Sequence, residues 1–135
     1  MSSGYSGTPL AKKLGVKEGQ LTWRLGMPPS VAAEIAAHRV KPALVEKPVA
    51  GLEMAHVFVT RRRDLANELA RLRKLLAPAG ILWVSWPKKA AKLETDITED
   101  RIRAEALPLG LVDVKVCAVD EIWSGLKLVI RKTER

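Results

Sequence analysis

The sequence is poor in cysteine, in long apolar runs and in acidic residues, and each shortage narrows the possibilities. Cys117 is the one cysteine, so the chain forms neither an internal disulfide nor a metal site built from several cysteines. No apolar run approaches the roughly 20 residues that cross a bilayer. The first seven residues have neither the basic start nor the apolar stretch of a secretory signal, so we expect a cytoplasmic protein.

The shortage of acids leaves a strongly basic chain. There are 23 Lys and Arg against 15 Asp and Glu, which gives a formal net charge of +8. Such a surplus favours anionic partners, such as nucleic acid, a phosphorylated small molecule or an acidic protein, although a solvated basic surface without a partner has the same composition. With 135 residues, 47% of them hydrophobic, the chain is expected to form one globular domain over residues 1–135. Residues 1–8 are predicted to be its flexible end.

Hydrophobic spacing predicts four helices and six strands. The clearest helix covers residues 64–76, where leucines recur at spacings of four, three and four. Thr8 is predicted to cap a short helix over 10–14 that Gly15 ends. The other predicted elements are a helix over 30–39, a helix after Thr98, and strands over 20–25, 43–45, 55–60, 112–119 and 126–131, with one more from Gly80 to the Trp86-Pro87 corner.

The pattern within the strands predicts the fold class. The strands at 55–60 and after Gly80 are almost wholly apolar, as in a parallel sheet covered on both faces, whereas the last two alternate like an antiparallel hairpin. We therefore expect a three-layer, Rossmann-like α/β domain with a mostly parallel sheet and a C-terminal antiparallel hairpin. In such sheets ligands bind beyond the carboxyl ends of the strands. That rim is predicted to carry residues 26–29, 61–63, 86–89 and 120–124.

Aromatic, cationic and small polar residues on this rim predict a site for an anionic, ring-containing ligand such as a nucleotide. Trp86 and Trp123 are expected to stack on one ring while lysines or arginines meet a phosphate. Two alternatives stay open: the tryptophans close the core beneath their loops, and Asp64 and Glu68 neutralise the arginines. The predicted binding residues are Tyr5, Ser6, Thr8, Arg61, Arg62, Trp86, Lys88, Lys89, Trp123 and Ser124.

The remaining reactive side chains form no catalytic pattern. His56 lies in an apolar strand and is predicted to be a hydrogen-bonded core histidine. Ser85 lacks the Gly-x-Ser-x-Gly elbow of a serine hydrolase, and Cys117 is predicted to be inert. Asp120 and Glu121 suit acid–base chemistry or, equally, a solvated turn. No catalytic or metal-binding residue is therefore predicted, and enzymatic activity is left open.

The element order resembles the fold of the class I S-adenosylmethionine-dependent methyltransferases with its middle shortened. The segment Leu75-Leu76-Ala77-Pro78-Ala79-Gly80-Ile81-Leu82-Trp83-Val84-Ser85 is similar to that family's turn into its fifth strand. The resemblance implies S-adenosylmethionine as a cofactor, held by glycines after the first strand and by an acid after the second. Gly26 and Glu46 match, but Met27-Pro28-Pro29 follows Gly26, and prolines supply no backbone N–H. An atypical or degenerate methyltransferase-like enzyme is thus an alternative hypothesis.

A second resemblance covers nearly the whole chain. Four blocks resemble the bacterial domain of unknown function 3052 (DUF3052) family: residues 4–15, 82–89, 109–121 and 123–131. Residues 20–55 resemble that family in element order alone. The resemblance implies a small cytoplasmic bacterial protein and carries over no catalytic residue. Our leading hypothesis is therefore a non-catalytic binding module for a nucleotide-like ligand, with the methyltransferase-like enzyme and a charge-driven adaptor for nucleic acid or protein as alternatives; the oligomeric state is not predicted.

Overall fold

A six-stranded sheet forms the centre of the computed structural model, which describes residues 7–135. The strands are β1 (Leu21–Leu25), β2 (Ala43–Val45), β3 (Leu52–Phe58), β4 (Leu76–Pro87), β5 (Leu111–Ala118) and β6 (Trp123–Ile130). Their order is β2-β1-β3-β4-β6-β5; the first four run parallel, and β6 is antiparallel to both of its neighbours. The predicted mostly parallel sheet with a terminal antiparallel hairpin is confirmed.

Helices cover both faces of this sheet. They are α1 (Leu10–Leu14), α2 (Pro29–Ala36), α3 (Arg62–Leu75) and α4 (Glu99–Ala106), with 3₁₀ turns at Lys89–Ala91, Leu107–Leu109 and Lys132–Glu134. One apolar cluster joins α1 and α2 to the first face, and another joins α3 and α4 to the second. The predicted three layers are confirmed. Within residues 7–135, no helix combines the length and the apolar composition that a membrane crossing requires.

The face under α3 and α4 is an apolar core. Leu65, Leu69 and Leu72 are fully buried, because their spacing places all three on the side of α3 that meets the sheet. Full burial of one leucine side chain stabilises a fold by about 1.5–3 kcal/mol. Thr98 begins α4 as predicted, since its Oγ1 accepts the Arg101 N–H at 3.2 Å.

The face under α1 and α2 buries several polar groups. Trp83 Nε1 donates to the Leu14 carbonyl at 2.8 Å, which ties the end of α1 to the middle of β4. His56 Nε2 lies 2.7 Å from Ser85 Oγ, and both side chains are buried. Burial, with a smaller contribution from the charge of Arg24, lowers the pKa of His56 to about 3, so the ring is neutral near pH 7. The predicted hydrogen-bonded core histidine is confirmed.

Several predicted boundaries differ from the structure. Pro9, not Thr8, occupies the N-cap of α1 and no side chain caps that helix, so the predicted role of Thr8 as the cap is wrong. Strand β6 begins at Trp123 instead of 126, which moves Trp123 and Ser124 out of the predicted turn and into the sheet. Strand β3 covers Leu52–Phe58, earlier than the predicted 55–60.

Candidate functional site

The carboxyl ends of β1 to β5 and the start of β6 form one rim of the sheet, as predicted. Two contacts join its parts: the Lys88 N–H donates to the Ile122 carbonyl at 2.8 Å, and Thr95 Oγ1 donates to the Thr60 carbonyl at 2.6 Å. The loop after β4 is thereby bound both to the hairpin turn and to the end of β3. The rim is consequently a continuous surface that extends across the sheet.

The connections leave the rim in opposite directions at one point. From β1 the chain passes through α2 to β2 on one side, whereas from β3 it passes through α3 to β4 on the other. Such a topological switch point opens a crevice between the two strand ends, and this is where open α/β sheets bind their ligands. We use "switch point" for the place where the ends of β1 and β3 meet, at Gly26 and the segment 58–60.

Gly26 has a conformation that only glycine adopts easily at this place. Its φ is +68°, and a Cβ built on it would lie 3.2 Å from the Phe58 carbonyl oxygen. The loop after β1 therefore runs close against the end of β3. Pro28 occupies the N-cap of α2 and Pro29 its first turn, which removes N–H groups that a helix start normally offers.

Glu46 follows β2 directly and lies at the position predicted for an acid on the rim. Its side chain is exposed, while its carbonyl oxygen accepts Trp23 Nε1 at 3.3 Å. The indole of Trp23 is buried, and the Arg71 guanidinium lies 5.0 Å from the ring centroid. The backbone at Glu46 is thus fixed by a core residue, and its carboxylate is left pointing at solvent.

A concave region lies beyond the end of β4, and we call it the β4 cleft. Its volume is about 780 Å³. Its lining comprises Trp86, Pro87, Lys88, Lys89, Leu93, Thr95, Ile97, Thr98, Glu99 and Asp100. The predicted residues Trp86, Lys88 and Lys89 therefore share one cavity. Sequence analysis missed the side of the cleft formed by residues 93–100. The sequence there indicates a polar loop and the start of a helix, and no local pattern predicts that this segment lies next to the end of β4.

The cleft offers hydrogen-bond donors beside apolar surface. Trp86 is only 8% exposed, yet its Nε1 has no acceptor within residues 7–135, unlike Trp23 and Trp83. No fully buried side-chain nitrogen or oxygen of residues 7–135 lacks a partner. Neither Lys88 nor Lys89 is paired with a carboxylate of the described chain.

The two rim tryptophans lie on opposite faces of the sheet, so they do not stack on one ring as predicted. Trp123 pairs with Pro87, and Trp86 pairs with Ser124. Since neighbouring residues of a strand point to opposite faces, Trp86 packs under α3 and α4. Trp123 packs on the other face, edge-on to Phe58 with 5.1 Å between the ring centroids. Of this pair, only Trp86 lines the β4 cleft.

Arg61, just before α3, and Arg62, its first residue, are neutralised by the chain itself. Arg61 lies 3.4 Å from Glu94, and Arg62 lies 3.3 Å from Glu105. Asp96 Oδ1 also accepts the Arg62 N–H at 2.6 Å, so a carboxylate already occupies the start of this helix. Neutralisation was one of the two expectations, but the predicted partners were wrong: Glu68 pairs with Arg71, and Asp64 pairs with none of these arginines in residues 7–135.

The other residues considered in the sequence analysis do not line the β4 cleft within residues 7–135. Asp120 Oδ1 accepts the N–H groups of Ile122 and Trp123, both at 2.8 Å, which is the arrangement of a structural turn. Burial raises the pKa of the Cys117 thiol against the opposing charges of Lys13 and Lys115, which fits the predicted inert side chain. Tyr5 and Ser6 lie outside the described residues. In residues 7–135 no group of three or more His, Cys, Asp or Glu side chains is placed to hold a metal ion.

The fold is similar to that of solved S-adenosylmethionine-dependent methyltransferases. An Aquifex aeolicus enzyme of this class has a TM-score of 0.62 at 14% identity over 90% of this chain and 88% of its own. The ribosomal protein L11 methylase of Lactobacillus delbrueckii subsp. bulgaricus has a TM-score of 0.61 at 14% identity over 97% and 82%. Aeropyrum pernix fibrillarin, solved with bound S-adenosyl-L-methionine, has a TM-score of 0.54 at 16% identity over 89% and 73%.

These likenesses confirm the methyltransferase-like fold, and at such low identity they show the fold alone. No protein-family model matches the sequence, and no curated protein matches it either. Membership of the DUF3052 family therefore stays a prediction. The chain is an α/β, Rossmann-like protein with the architecture of the class I methyltransferases.

Proposed function

We propose that this chain is an atypical S-adenosylmethionine-dependent methyltransferase-like enzyme that binds its cofactor at the switch point. The observation that carries the proposal is the position of two residues in a fold shared with methyltransferases. Gly26 follows β1 and lies against Phe58, and Glu46 follows the neighbouring strand β2. A carboxylate in that position can accept hydrogen bonds from both hydroxyls of a ribose. Because Gly26 has no Cβ, the loop after β1 can lie against the Phe58 carbonyl oxygen, which fixes the position of that loop at the switch point.

The donors at the switch point suit an adenosyl ligand without phosphate groups better than a dinucleotide. Binding a pyrophosphate depends on the free N–H groups of a helix start, and Pro28 and Pro29 remove such groups from α2. S-adenosylmethionine carries no phosphate. The protein has to supply a partner for the ligand's carboxylate, an acceptor for its ribose hydroxyls and room for its adenine. The departure from the usual glycine cluster is therefore tolerable for this cofactor.

The β4 cleft would then receive the acceptor. When bound, S-adenosylmethionine supplies an electrophilic methyl group, so the protein's own task is to orient an acceptor and to exclude water. Trp86 and Leu93 provide apolar surface, and Lys88 and Lys89 provide positive charge. This combination suits a partly apolar acceptor that carries negative charge.

Calorimetric titration of S-adenosylmethionine and S-adenosylhomocysteine tests the proposal. Glu46→Gln should weaken binding by about 10–100-fold, the range for a lost hydrogen bond to a charged group. Glu34→Gln is the matched control, since Glu34 lies in α2 away from the rim. Tritium transfer from the labelled cofactor to candidate acceptors then tests turnover. Absence of binding, or equal weakening by both substitutions, would reject the site.

A pair of glycine substitutions tests whether the loop at Gly26 matters for cofactor binding apart from the strain that a positive φ causes. Gly26→Ala and Gly51→Ala both place alanine at a positive φ, +68° and +84°, but Gly51 has no neighbour within 4 Å. The positive φ should lower stability by about 1–2 kcal/mol in each case, and Gly26→Ala should lower it further because its Cβ would press on the Phe58 carbonyl oxygen. Only Gly26→Ala should also weaken cofactor binding.

A nucleotide bound in the β4 cleft is the second candidate function, as in the leading sequence hypothesis. The position of Trp86 in the cleft lining favours it, because Trp86 lies beside two lysines that have no carboxylate partners in residues 7–135. ATP in the same titrations should then bind independently of Glu46→Gln and weaken in Lys88→Gln/Lys89→Gln. If that double variant binds ATP as the parent protein does, the β4 cleft is not a nucleotide site.

We also propose that the chain belongs to the DUF3052 family and resides in the cytoplasm. The support is the four sequence blocks named above. Two of them, residues 82–89 and 123–131, contribute the paired ends of β4 and β6 beside the β4 cleft. Proteins that share these blocks would therefore share this part of the rim.

A further inference from the structure

Arginines and lysines are used differently in this protein. Every ion pair within residues 7–135 is formed by an arginine, and none of the twelve lysines lies within ion-pair distance of a described carboxylate. Residues 1–6 contain no acid, so they add no partner. Most of the unpaired positive charge is therefore on the twelve lysines, and the rest is on Arg24, Arg39, Arg63, Arg101 and Arg135.

Four of these lysines gather on one side of the sheet. Lys115 and Lys127 are directly opposite each other in β5 and β6, and Lys127 is opposite Trp83 of β4, whose indole contacts the end of α1. Lys13, in α1, donates through Nζ to the Ala118 carbonyl of β5 at 3.0 Å. Lys17 follows α1 after Gly15. We call these four residues the lysine face.

Like charges meet on the lysine face without an acid to separate them. Directly opposed lysines repel across a ladder. Burial first, and then the charges of Lys115 and Lys17, lower the pKa of Lys127. Three acids of these elements have other partners: Asp113 binds Arg103, Glu18 accepts the Lys41 backbone N–H, and Glu53, which lines a cavity with Lys17, accepts the Leu21 backbone N–H.

We propose that the lysine face binds the phosphodiester backbone of a nucleic acid. Its cations are spread over a helix end and two strands, so they suit a line of phosphates better than one small anion. A duplex presents one negative charge per about 1.7 Å of its axis, which would replace the repulsion between the lysines with attraction. This proposal does not rest on the proposed cofactor site, which lies at the rim.

A membrane surface fits this face less well. Membrane binding combines cations with apolar anchors. Val116, an exposed apolar residue of β5, pairs with the core residue Leu126 and therefore points to the opposite face of the sheet. The chemistry of the lysine face is cationic and hydrophilic, as phosphodiester contacts require.

Fluorescence anisotropy with a labelled 20-nucleotide single strand and a 20-base-pair duplex tests the proposal over a range of salt concentrations. The double variant Lys17→Gln/Lys115→Gln should bind about tenfold or more weakly near 0.1 M salt, and the slope of log K against log salt should shrink by about 0.7–0.9 per lysine. The matched control is Lys74→Gln/Lys132→Gln, which removes the same charge from exposed positions elsewhere.

The two oligonucleotides distinguish single-stranded from duplex backbone, and either one supports the proposal if the control binds within about twofold of the parent protein. Equal loss in both double variants would show that overall charge alone drives binding and would overturn the proposal. So would binding to phosphatidylserine vesicles with no binding to either oligonucleotide. Thermal melting of each variant should show that both remain folded.

Discussion

The two faces of the sheet are built on different electrostatic plans. Under α3 and α4, arginines bind the chain's own carboxylates at the helix surfaces. Under α1 and α2, lysines stand opposite one another without acids, and the buried polar groups are neutral. The first face is electrostatically closed within the molecule, whereas the second is left incomplete. Binding surfaces are expected on the incomplete face and at the rim between the two.

Arg103 illustrates how one arginine of the closed face binds several carboxylates. Its guanidinium bonds Glu99 and Asp113 and lies 3.2 Å from Asp100. Hydrogen bonds to Asp113 and Glu99 raise the pKa of Arg103, and the bond from Arg103 lowers the pKa of Asp113. A planar guanidinium can serve several carboxylates at fixed angles, which an ammonium group cannot do. Arginine therefore organises the closed face, and lysine carries most of the unpaired positive charge.

The largest expected effect lies in the apolar core of the closed face. Leu69→Ala should lower the free energy of unfolding by about 2–5 kcal/mol, because it leaves a cavity among fully buried side chains. Leu75→Ala, in a half-buried position at the end of the same helix, should cost clearly less. Urea titration measures both. Equal losses would show that α3 is not held chiefly by its buried leucines.

The next effect belongs to the other face and depends on pH. The folded pKa of His56, about 3, lies below the unfolded value of 6.5, so the unfolded chain binds more protons between these values. Stability should therefore fall as pH drops through 6.5 towards 3, by about 2 kcal/mol at pH 5 relative to pH 7.5.

His56→Gln provides the control for that dependence. Glutamine can still hydrogen-bond Ser85 Oγ but does not titrate, so the variant should lose less stability between pH 7.5 and 5. Urea titrations at the two pH values measure the difference. If the variant and the parent protein show the same pH dependence, His56 does not remain neutral in the folded state.

The smallest effect has opposite signs on the two faces. Lys115→Gln should raise the free energy of unfolding by a few tenths of a kcal/mol, because it removes a like-charge pair across the ladder. Arg103→Gln should lower the melting temperature, since it leaves three carboxylates without their common partner. Both changes should shrink at about 1 M salt, where charges are screened. A loss of stability on both faces would contradict the comparison.

Local patterns predicted the elements well where packing agreed with them. The leucine spacing of 64–76 and the alternation of the last two strands correspond to α3, β5 and β6. Boundaries failed where tertiary pairing extended an element. Trp123 and Ser124 carry no strand signal of their own, but pairing with Pro87 and Trp86 draws them into β6. Thr8 offered a cap, yet α1 starts after Pro9 and leaves it outside.

The sequence predicted where the residues of the candidate site lie better than it predicted which residues they contact. The rim follows from the parallel strands, and the positions of Gly26 and Glu46 follow from the ends of β1 and β2. The partners of Arg61 and Arg62, however, come from residues more than 30 positions away, and no local pattern identifies Glu94 or Glu105 among 15 acids. The β4 cleft likewise required the loop after β4 to return against Thr60.

The sequence by itself determined the element order, the buried central strands, the hydrogen-bonded core histidine and the surplus of positive charge. These depend on spacing and composition, which act over a few residues. Only the tertiary structure decided that Trp86 and Trp123 face opposite ways, that each ion pair of residues 7–135 uses an arginine, and that Lys115 meets Lys127. Register decides the strand contacts, and a shift of one residue along a strand would reverse them, whereas folding alone brings together the ion pairs between distant residues.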